Sequence, residues 1–132
     1  MSNATKINLD TSSRVDVTCR KGDTFSLRLT VTKPDGTAGF KVGDIFLFEV
    51  RHSDTGDYVK NAADVNFAAS VTADSDDFAD KYIDITLAAT VMKTMPSGLY
   101  VYDVEQKSGT DNAVSTLIFG TLKVNEDVSI TA

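Results

Sequence analysis

The sequence predicts an all-β protein, built as an antiparallel β-sandwich of about seven or eight short strands with one short helical turn. Three observations support this fold class. Segments with alternating apolar and polar residues recur along the chain, turn-forming residues separate them at intervals of about ten residues, and a single segment carries the stop signals of a helix. A small β-barrel is the competing way to close such strands, and the sequence leaves that alternative open.

The clearest strand lies in the segment 24–32, and the rest of the chain has to supply its partners. Its apolar residues alternate with polar ones, so one face is expected in the core and the other in water. These apolar residues are Phe25, Leu27, Leu29 and Val31. A turn follows, in which Pro34 sets the backbone for the first corner and Gly36 tolerates the conformation that ends it. The chain is therefore predicted to reverse after this strand.

The residues before this strand predict a polar arm and one further strand. Positions 1–13 are mostly Ser, Asn, Thr, Lys and Asp, and Ile7 and Leu9 are their only branched apolar residues. We expect this arm to dock on a neighbour. Residues 14–19 alternate apolar and polar side chains, which predicts a strand, and a turn at 21–23 leads into the next one.

Residues 45–52 are predicted to form the central strand. They are apolar nearly throughout, which is typical of a strand that is covered on both sides or crosses the middle of a sheet. A loop with two glycines, 37–44, precedes them. A turn at 54–57 follows, and residues 58–60 begin the return. Residues 65–72 alternate weakly and predict the next strand.

An acidic loop, a second amphipathic strand and the helical segment come next. The loop covers residues 73–80, and residues 82–87 alternate apolar and polar side chains as a half-buried strand does. The one segment that predicts a helix is 88–95. It is expected to run for about two turns and to end at Pro96 and Gly98.

The last two strands are predicted to form a hairpin. Residues 99–106 are strongly β-prone, and their partner is expected at 114–124, across a reversal at 108–112. The inward side chains of the first strand are expected to be Tyr100, Tyr102 and Val104, with the two tyrosines closing the core. Gly120 interrupts the second strand and predicts a bulge or a close approach of another backbone segment.

Composition and charge exclude several classes of protein. The chain has 132 residues, the length of a single domain, and its apolar fraction of 42% is that of a globular protein. A net charge of −6 lacks the surplus of Lys and Arg that nucleic-acid binding requires. We find no apolar run long enough for a membrane span and no pattern of a secretory signal. The single cysteine, Cys19, excludes an intrachain disulfide and is expected to be buried filler.

The sequence does not predict an enzyme or a bound cofactor. Nucleophilic catalysis needs a nucleophile, a base and an orienting acid, and the one histidine, His52, is expected to be a residue at the end of an apolar strand. One cysteine and one histidine cannot supply the nitrogen and sulfur ligands of a zinc site. A pair of carboxylates for glycoside hydrolysis is possible in principle, but the chain has no Trp to hold a sugar.

The acidic loop carries the one metal hypothesis that the sequence supports. Calcium takes several carboxylate and carbonyl oxygens, and this loop offers four carboxylates, Asp74, Asp76, Asp77 and Asp80. Their spacing is not that of an EF-hand, which needs a glycine at its bend and a distal glutamate. The expectation is therefore a solvated acidic loop, with a calcium site as the alternative.

Several short motifs, in this order, resemble those of a phage virion module. They are Gly22-Asp23-Thr24-Phe25, Pro34-Asp35-Gly36, Phe48-Glu49-Val50-Arg51 with the Thr55-Gly56 turn, the segment 98–104, and Gly120-Thr121-Leu122-Lys123-Val124. Together they resemble the immunoglobulin-like domain at the N-terminus of phage baseplate upper proteins and in related tail and head-attached proteins. The sequence departs from that pattern at residues 40–44, where such domains commonly have a leucine, threonine, glycine and aromatic series.

The resemblance implies an immunoglobulin-like sandwich at residues 14–125, with a polar arm at 1–13 and a tail at 126–132. It implies a structural or adaptor protein of a bacteriophage particle, in a baseplate, tail or head-attached position. Its partners would be other virion proteins and copies of itself, and it would be soluble in the host cytoplasm before assembly into the virion. The family has no catalytic residues to transfer.

Two other functions remain as alternatives. A carbohydrate- or cell-surface-binding module would show an exposed aromatic patch on a sheet face or at one loop end. A calcium-dependent adhesion domain would lose thermal stability when a chelator is added.

Overall fold

The structure is a computed structural model that describes residues 12–51 and 68–126. Within these ranges the chain forms eight strands and two short helices. In chain order they are β1 (Ser13–Arg14), β2 (Val17–Arg20), β3 (Phe25–Thr30), β4 (Ile45–Arg51), β5 (Ala68–Thr72), α1 (Ser75–Asp80), β6 (Tyr82–Leu87), α2 (Ala89–Met92), β7 (Gly98–Lys107) and β8 (Val114–Asn125).

The strands form two sheets that face each other. The larger sheet has the order β1-β8-β7-β4-β5, with β2 also paired to β8, and the smaller sheet is the pair β3-β6. Over the described ranges the two sheets do not join into a closed ring, so the arrangement is the two-layered one and not the barrel. The all-β prediction is confirmed at this level.

Pairing is antiparallel except at one edge of the larger sheet. Both β1 and β2 run parallel to β8, with Ser13 opposite Ile118 and Val17 opposite Leu122. The predicted antiparallel pairing is wrong at this edge. Alternation of side chains shows which face a strand buries, but it does not show the direction of its neighbour.

The predicted strand at 14–19 is divided into two pieces. Its chain leaves the ladder at Val15 and Asp16, and Val15 is 40% exposed instead of buried. The interruption coincides with Gly120 of β8, where a Cβ atom would overlap the carbonyl oxygen of Val15. The close backbone approach predicted at Gly120 is thus confirmed. The β-bulge in β8 lies instead at Leu117, where the register with β7 shifts.

β4 has the interior position predicted for residues 45–52, and β6 and β7 bury the faces predicted for them. In β4, Phe46, Phe48 and Val50 are buried while the alternate residues are half-buried, and both of its edges are paired, as expected for an interior strand. β6 buries every second residue in the predicted way. β7 and β8 form the predicted hairpin, and β7 buries Tyr100, Tyr102 and Val104.

The core lies between the two sheets and is rich in aromatic side chains. Phe25 of β3 stacks on Phe48 of β4 with ring centroids 5.2 Å apart, and Phe48 also contacts Tyr102 at 5.7 Å. Met92 and Met95, from the α2 region, close one side of this core with 1% exposure each. Burial of such large apolar surfaces is the main stabilising contribution in a domain of this size.

The two helical segments differ from the prediction. The acidic stretch is not only a loop, because residues 75–80 form α1. Asp74 begins this helix by accepting a hydrogen bond from the Asp77 amide (2.9 Å), and the Asp77 carboxylate accepts one from the Asp74 amide (3.2 Å). This reciprocal capping box stabilises a helix start that charge alone does not reveal. α2 is one turn long instead of about two.

Some predictions concern residues that the structure does not describe. His52, the 54–57 turn, the return at 58–60 and the first residues of the weak 65–72 strand lie outside the described residues. So do most of the predicted arm and tail. The first described strand begins at Ser13 and the last one ends at Asn125.

Candidate contact surface

The outer face of the larger sheet is the most distinctive surface of the described chain. It consists of the side chains of β4, β7 and β8 that point away from the core. Its central members are Leu47, Glu49, Arg51, Val101, Asp103, Glu105 and Phe119, and every one of them is half-buried. We refer to these seven residues as the outer face.

A groove of about 260 Å³ runs across the outer face. Val101 and Phe119 give it apolar walls, and Glu49, Asp103 and Glu105 bring carboxylates to the same place. The groove therefore combines apolar surface with negative charge. This composition suits a partner segment that carries a cationic side chain next to apolar ones.

The strand register brings like charges into direct opposition. Glu49 of β4 lies opposite Asp103 of β7, and Glu105 lies two residues further along the same face. Like charges opposite each other destabilise a sheet. Burial raises the pKa of Asp103, and the neighbouring carboxylates of Glu105 and Glu49 raise it further, while Arg51 acts in the other direction.

Arg51 compensates for only part of this negative charge. Its Nη2 lies 3.6 Å from Oε2 of Glu49, which gives that carboxylate a cationic neighbour. Among the described residues, Asp103 and Glu105 form no ion pair. Within the described residues, the outer face therefore has two carboxylates without an ion pair, Asp103 and Glu105, beside the apolar walls of the groove.

A second cleft, of about 290 Å³, lies at one end of the sheets between the loop 37–44 and the reversal after β7. Its floor holds Asp44, the one buried charged side chain of the described chain, with 5% exposure. The Asp44 carboxylate accepts hydrogen bonds from the Lys41 amide (3.0 Å), the Gly109 amide (3.1 Å) and Nε2 of Gln106 (3.1 Å). Sequence reasoning did not single out this residue, whose role is to join the two loops.

Hydrogen bonds decide the protonation state of Asp44. Burial raises its pKa, but the hydrogen bonds from Lys41, Gly109 and Gln106, with the charge of Lys41, outweigh burial and leave the pKa below its usual value. The carboxylate is thus ionised and fully engaged by the chain itself. Its geometry is that of a structural anchor, with no free oxygen directed at a reacting atom.

The four acidic residues proposed for calcium are not brought together. Asp74 and Asp77 are engaged in the capping box, Asp76 lies in the first turn of α1, and Asp80 ends that helix. Over residues 12–51 and 68–126, no group of three or more His, Cys, Asp or Glu side chains is arranged to hold a metal ion.

The remaining candidate residues have local structural roles. The thiol of Cys19 is half-buried, and burial followed by the charge of Asp23 raises its pKa, which disfavours the reactive thiolate. The hydroxyl of Tyr102 donates to the Val15 carbonyl oxygen at 2.5 Å, and burial raises its pKa to about 12. Phe78, with 43% exposure, is the one aromatic side chain of the described residues that is largely exposed.

Neither α1 nor α2 has the length or apolar character that a membrane-spanning helix needs, and these are the helices of the described residues. In comparisons with known proteins, no family model matches the chain, and no curated protein matches it either.

Proposed function

We propose that this chain is a non-enzymatic, immunoglobulin-like adaptor of a bacteriophage particle, and that it works through protein–protein contacts made by its outer face. The single observation that carries the contact function is the outer face itself. It combines a groove that has two apolar walls, Val101 and Phe119, with two carboxylates, Asp103 and Glu105, that form no ion pair among the described residues. A basic segment of another virion protein would supply both the missing charge and the missing apolar cover.

The strand arrangement supports the immunoglobulin-like type. In such domains one sheet contains the strands C, F and G and the other contains B and E, which corresponds here to β4, β7 and β8 facing β3 and β6. A hydrogen bond supports the same assignment. The hydroxyl of Tyr100, near the start of β7, donates to the carbonyl oxygen of Pro96 at 2.6 Å. Many immunoglobulin-like domains have a tyrosine corner, in which a tyrosine near the start of strand F donates to a backbone oxygen a few residues upstream, and the Tyr100 contact resembles it.

An aromatic cluster takes the place that a disulfide and a tryptophan occupy in antibody domains. Those domains pack a Trp of strand C against a disulfide that joins strands B and F. Here Phe48 of β4 packs between Phe25 of β3 and Tyr102 of β7. Three rings thus link the two sheets without a covalent bond, which suits a chain that has a single cysteine.

The described motifs that resemble the phage module lie in turns and strands of the fold, and the Thr55-Gly56 turn lies outside the described residues. The segment 22–25 leads into β3, and the segment 34–36 forms the turn after it, with the Gly36 amide donating to the Lys33 carbonyl oxygen at 2.9 Å. Residues 98–104 form the first part of β7, and residues 120–124 lie in β8. The segments that carry the resemblance therefore also build this fold, which supports the immunoglobulin-like type, and the virion role is inferred from the resemblance itself.

Mass spectrometry of purified particles tests the proposed function. Particles from the phage or prophage that carries the gene are purified by density gradient, and their peptides are quantified against the major capsid protein. We expect this chain in a fixed ratio to the capsid protein that survives a salt wash. Its absence from particles whose other structural proteins are detected would contradict the virion role.

A further inference from the structure

The turn after β3 contains the one Asp-Gly pair of the sequence, Asp35-Gly36. In such a pair the glycine has no Cβ atom, so its amide nitrogen can approach the side-chain carboxyl carbon of the aspartate with the least hindrance. Both residues are exposed to solvent. Apart from its chain neighbours, no atom lies within 4 Å of the position that a Cβ atom would take at Gly36. The surroundings of the pair therefore leave room for these two groups to react.

The backbone of this turn explains why a glycine follows Asp35. The Gly36 amide donates to the Lys33 carbonyl oxygen at 2.9 Å, and the Lys33 amide donates to the Thr37 carbonyl oxygen at 2.8 Å. Gly36 closes the turn with a φ of +85°, a conformation that residues other than glycine rarely adopt. The fold thus requires the glycine that makes Asp35 chemically vulnerable.

Thr37 holds the Asp35 carboxylate in place within the turn. One oxygen of the carboxylate, Oδ1, accepts hydrogen bonds from the Thr37 hydroxyl (2.6 Å) and from the Thr37 amide (3.0 Å). These two hydrogen bonds, the hydroxyl first, lower the pKa of Asp35, so the carboxyl group is ionised at neutral pH. An ionised carboxylate is a poor electrophile, because one of its oxygens has to leave as water when a nitrogen attacks.

We propose that Asp35 is a site of spontaneous isoaspartate formation, and that Thr37 is a positioning residue that slows this reaction in the folded chain. In the first step the Gly36 nitrogen loses its proton and forms a bond to Cγ of Asp35, while one carboxyl oxygen leaves as water. One water molecule then hydrolyses the resulting five-membered succinimide. Breaking its bond from nitrogen to Cγ restores aspartate, whereas breaking its bond from nitrogen to the main-chain carbonyl carbon gives isoaspartate.

Two features of the fold oppose the first step of this reaction. The Lys33 carbonyl oxygen engages the Gly36 amide proton, and two hydrogen bonds direct the Asp35 carboxylate towards Thr37. The product routes the main chain through the side chain of residue 35 and lengthens it by one carbon atom, so the hydrogen bonds of the turn would have to be remade. This inference goes beyond the adaptor function and does not depend on it.

Peptide mapping of the aged full chain tests the site, because peptides with aspartate and isoaspartate have the same mass but separate in chromatography. Trypsin cleavage after Arg28 and Lys41 releases residues 29–41, in which Asp35 is the one aspartate. We expect isoaspartate in this peptide to form about tenfold faster in guanidinium chloride than in the folded chain, because the restraining hydrogen bonds are lost. Asp35→Glu is the control and should give no isoaspartate in this peptide. Absence of isoaspartate from the unfolded natural chain would overturn the site, and equal rates in both states would overturn the restraint.

A pair of substitutions at Thr37 tests its role in the restraint. Thr37→Val keeps the branched shape of the side chain and removes the hydroxyl that donates to Asp35. We expect isoaspartate to form about threefold faster in this folded variant than in the natural chain, and equally fast when both are unfolded. Thr37→Ser keeps the hydroxyl and should keep the natural rate. Circular dichroism checks that both variants fold, and a folded Thr37→Val chain that reacts no faster than the natural one would overturn the role of Thr37.

Discussion

At the scale of single residues, the carboxylate of Asp44 shows how one buried charge orders two loops. It accepts from a backbone amide of its own loop, from the amide of Gly109 in the reversal after β7, and from the side chain of Gln106. Gln106 Nε2 also reaches the Gly39 carbonyl oxygen at 3.2 Å. One side chain therefore satisfies donors from distant parts of the sequence, and its loss would leave them unsatisfied where water has little access.

We predict that Asp44→Ala destabilises the fold by about 2–4 kcal/mol at pH 7, because several partly buried donors lose their acceptor. Since the folded pKa of Asp44 lies below its usual value of 3.8, the charged form stabilises the fold above that pH and this contribution is lost as the pH falls through the folded pKa. Urea unfolding at pH 7 and pH 3 measures the effect, which should shrink at the lower pH. Asp76→Asn, in an exposed position, is the control and should change stability little.

Tyr100 supports a second prediction at this scale. Tyr100→Phe keeps the buried ring and removes the hydroxyl that donates to Pro96, so we expect a loss of about 0.5–1.5 kcal/mol in the free energy of unfolding. Tyr82→Phe is the control, because that ring lies on the surface of the smaller sheet under Arg28. A Tyr100→Phe chain as stable as this control would argue against a tyrosine corner that contributes to stability.

At the scale of elements, most strands and the position of α2 could be predicted from the sequence, whereas α1 and the direction of β1 and β2 could not. β6 and β7 bury the residues that period-two alternation assigns to the core, because a strand with one buried face alternates apolar and polar residues in its sequence. α1 was missed since its start depends on a capping box made by two aspartates, which reads as an acidic loop when judged by charge. The parallel pairing of β1 and β2 depends on the path of the chain between sheets.

The close approach of β8 at Gly120 to the backbone of Val15 can be tested by a substitution. We predict that Gly120→Ala destabilises the fold by about 1–3 kcal/mol, because the new Cβ would overlap the backbone of Val15 and the segment would have to move. Hydrogen exchange should quicken at the Val15 amide, which donates to the Phe119 carbonyl oxygen at 2.8 Å, and urea unfolding gives the stability. Ser115→Ala, exposed on the same strand, is the control. Unchanged exchange at Val15 would contradict the close approach.

At the scale of the whole molecule, the outer face could not be predicted from the sequence. Glu49 and Asp103 are far apart in the chain, and only the register of β4 and β7 places them opposite each other. Arg51, Val101 and Phe119 likewise meet through sheet pairing. The sequence shows that the chain is acidic, with a net charge of −6. It does not show that Glu49, Asp103 and Glu105 lie next to each other on one face of the sheet. A contact surface assembled from several strands leaves no local motif.

We expect that neutralising carboxylates of the outer face raises the stability of the chain and weakens its binding to a partner. Asp103→Asn removes a carboxylate that faces Glu49 and lies beside Glu105, so we expect the isolated chain to gain about 0.2–1 kcal/mol at pH 7. The direction of this change in the free energy of unfolding follows from the raised pKa of Asp103. Its charged form opposes folding, and stability is lost as the pH rises from its usual value of 3.8 through the folded pKa. At pH 3 the carboxyl is protonated and the gain should disappear.

Asp111→Asn is the matched control for this prediction, because hydrogen bonds from the Ala113 amide and from Ser108 lower the pKa of that exposed carboxyl. Neutralising it should not stabilise the chain. If the chain is a virion component, as proposed, the double variant Asp103→Asn, Glu105→Gln can be supplied in place of the natural chain during particle assembly. If the outer face binds a basic segment, the chain should remain folded while its amount in purified particles falls severalfold. Full incorporation of the double variant would show that another surface of the molecule makes the contact.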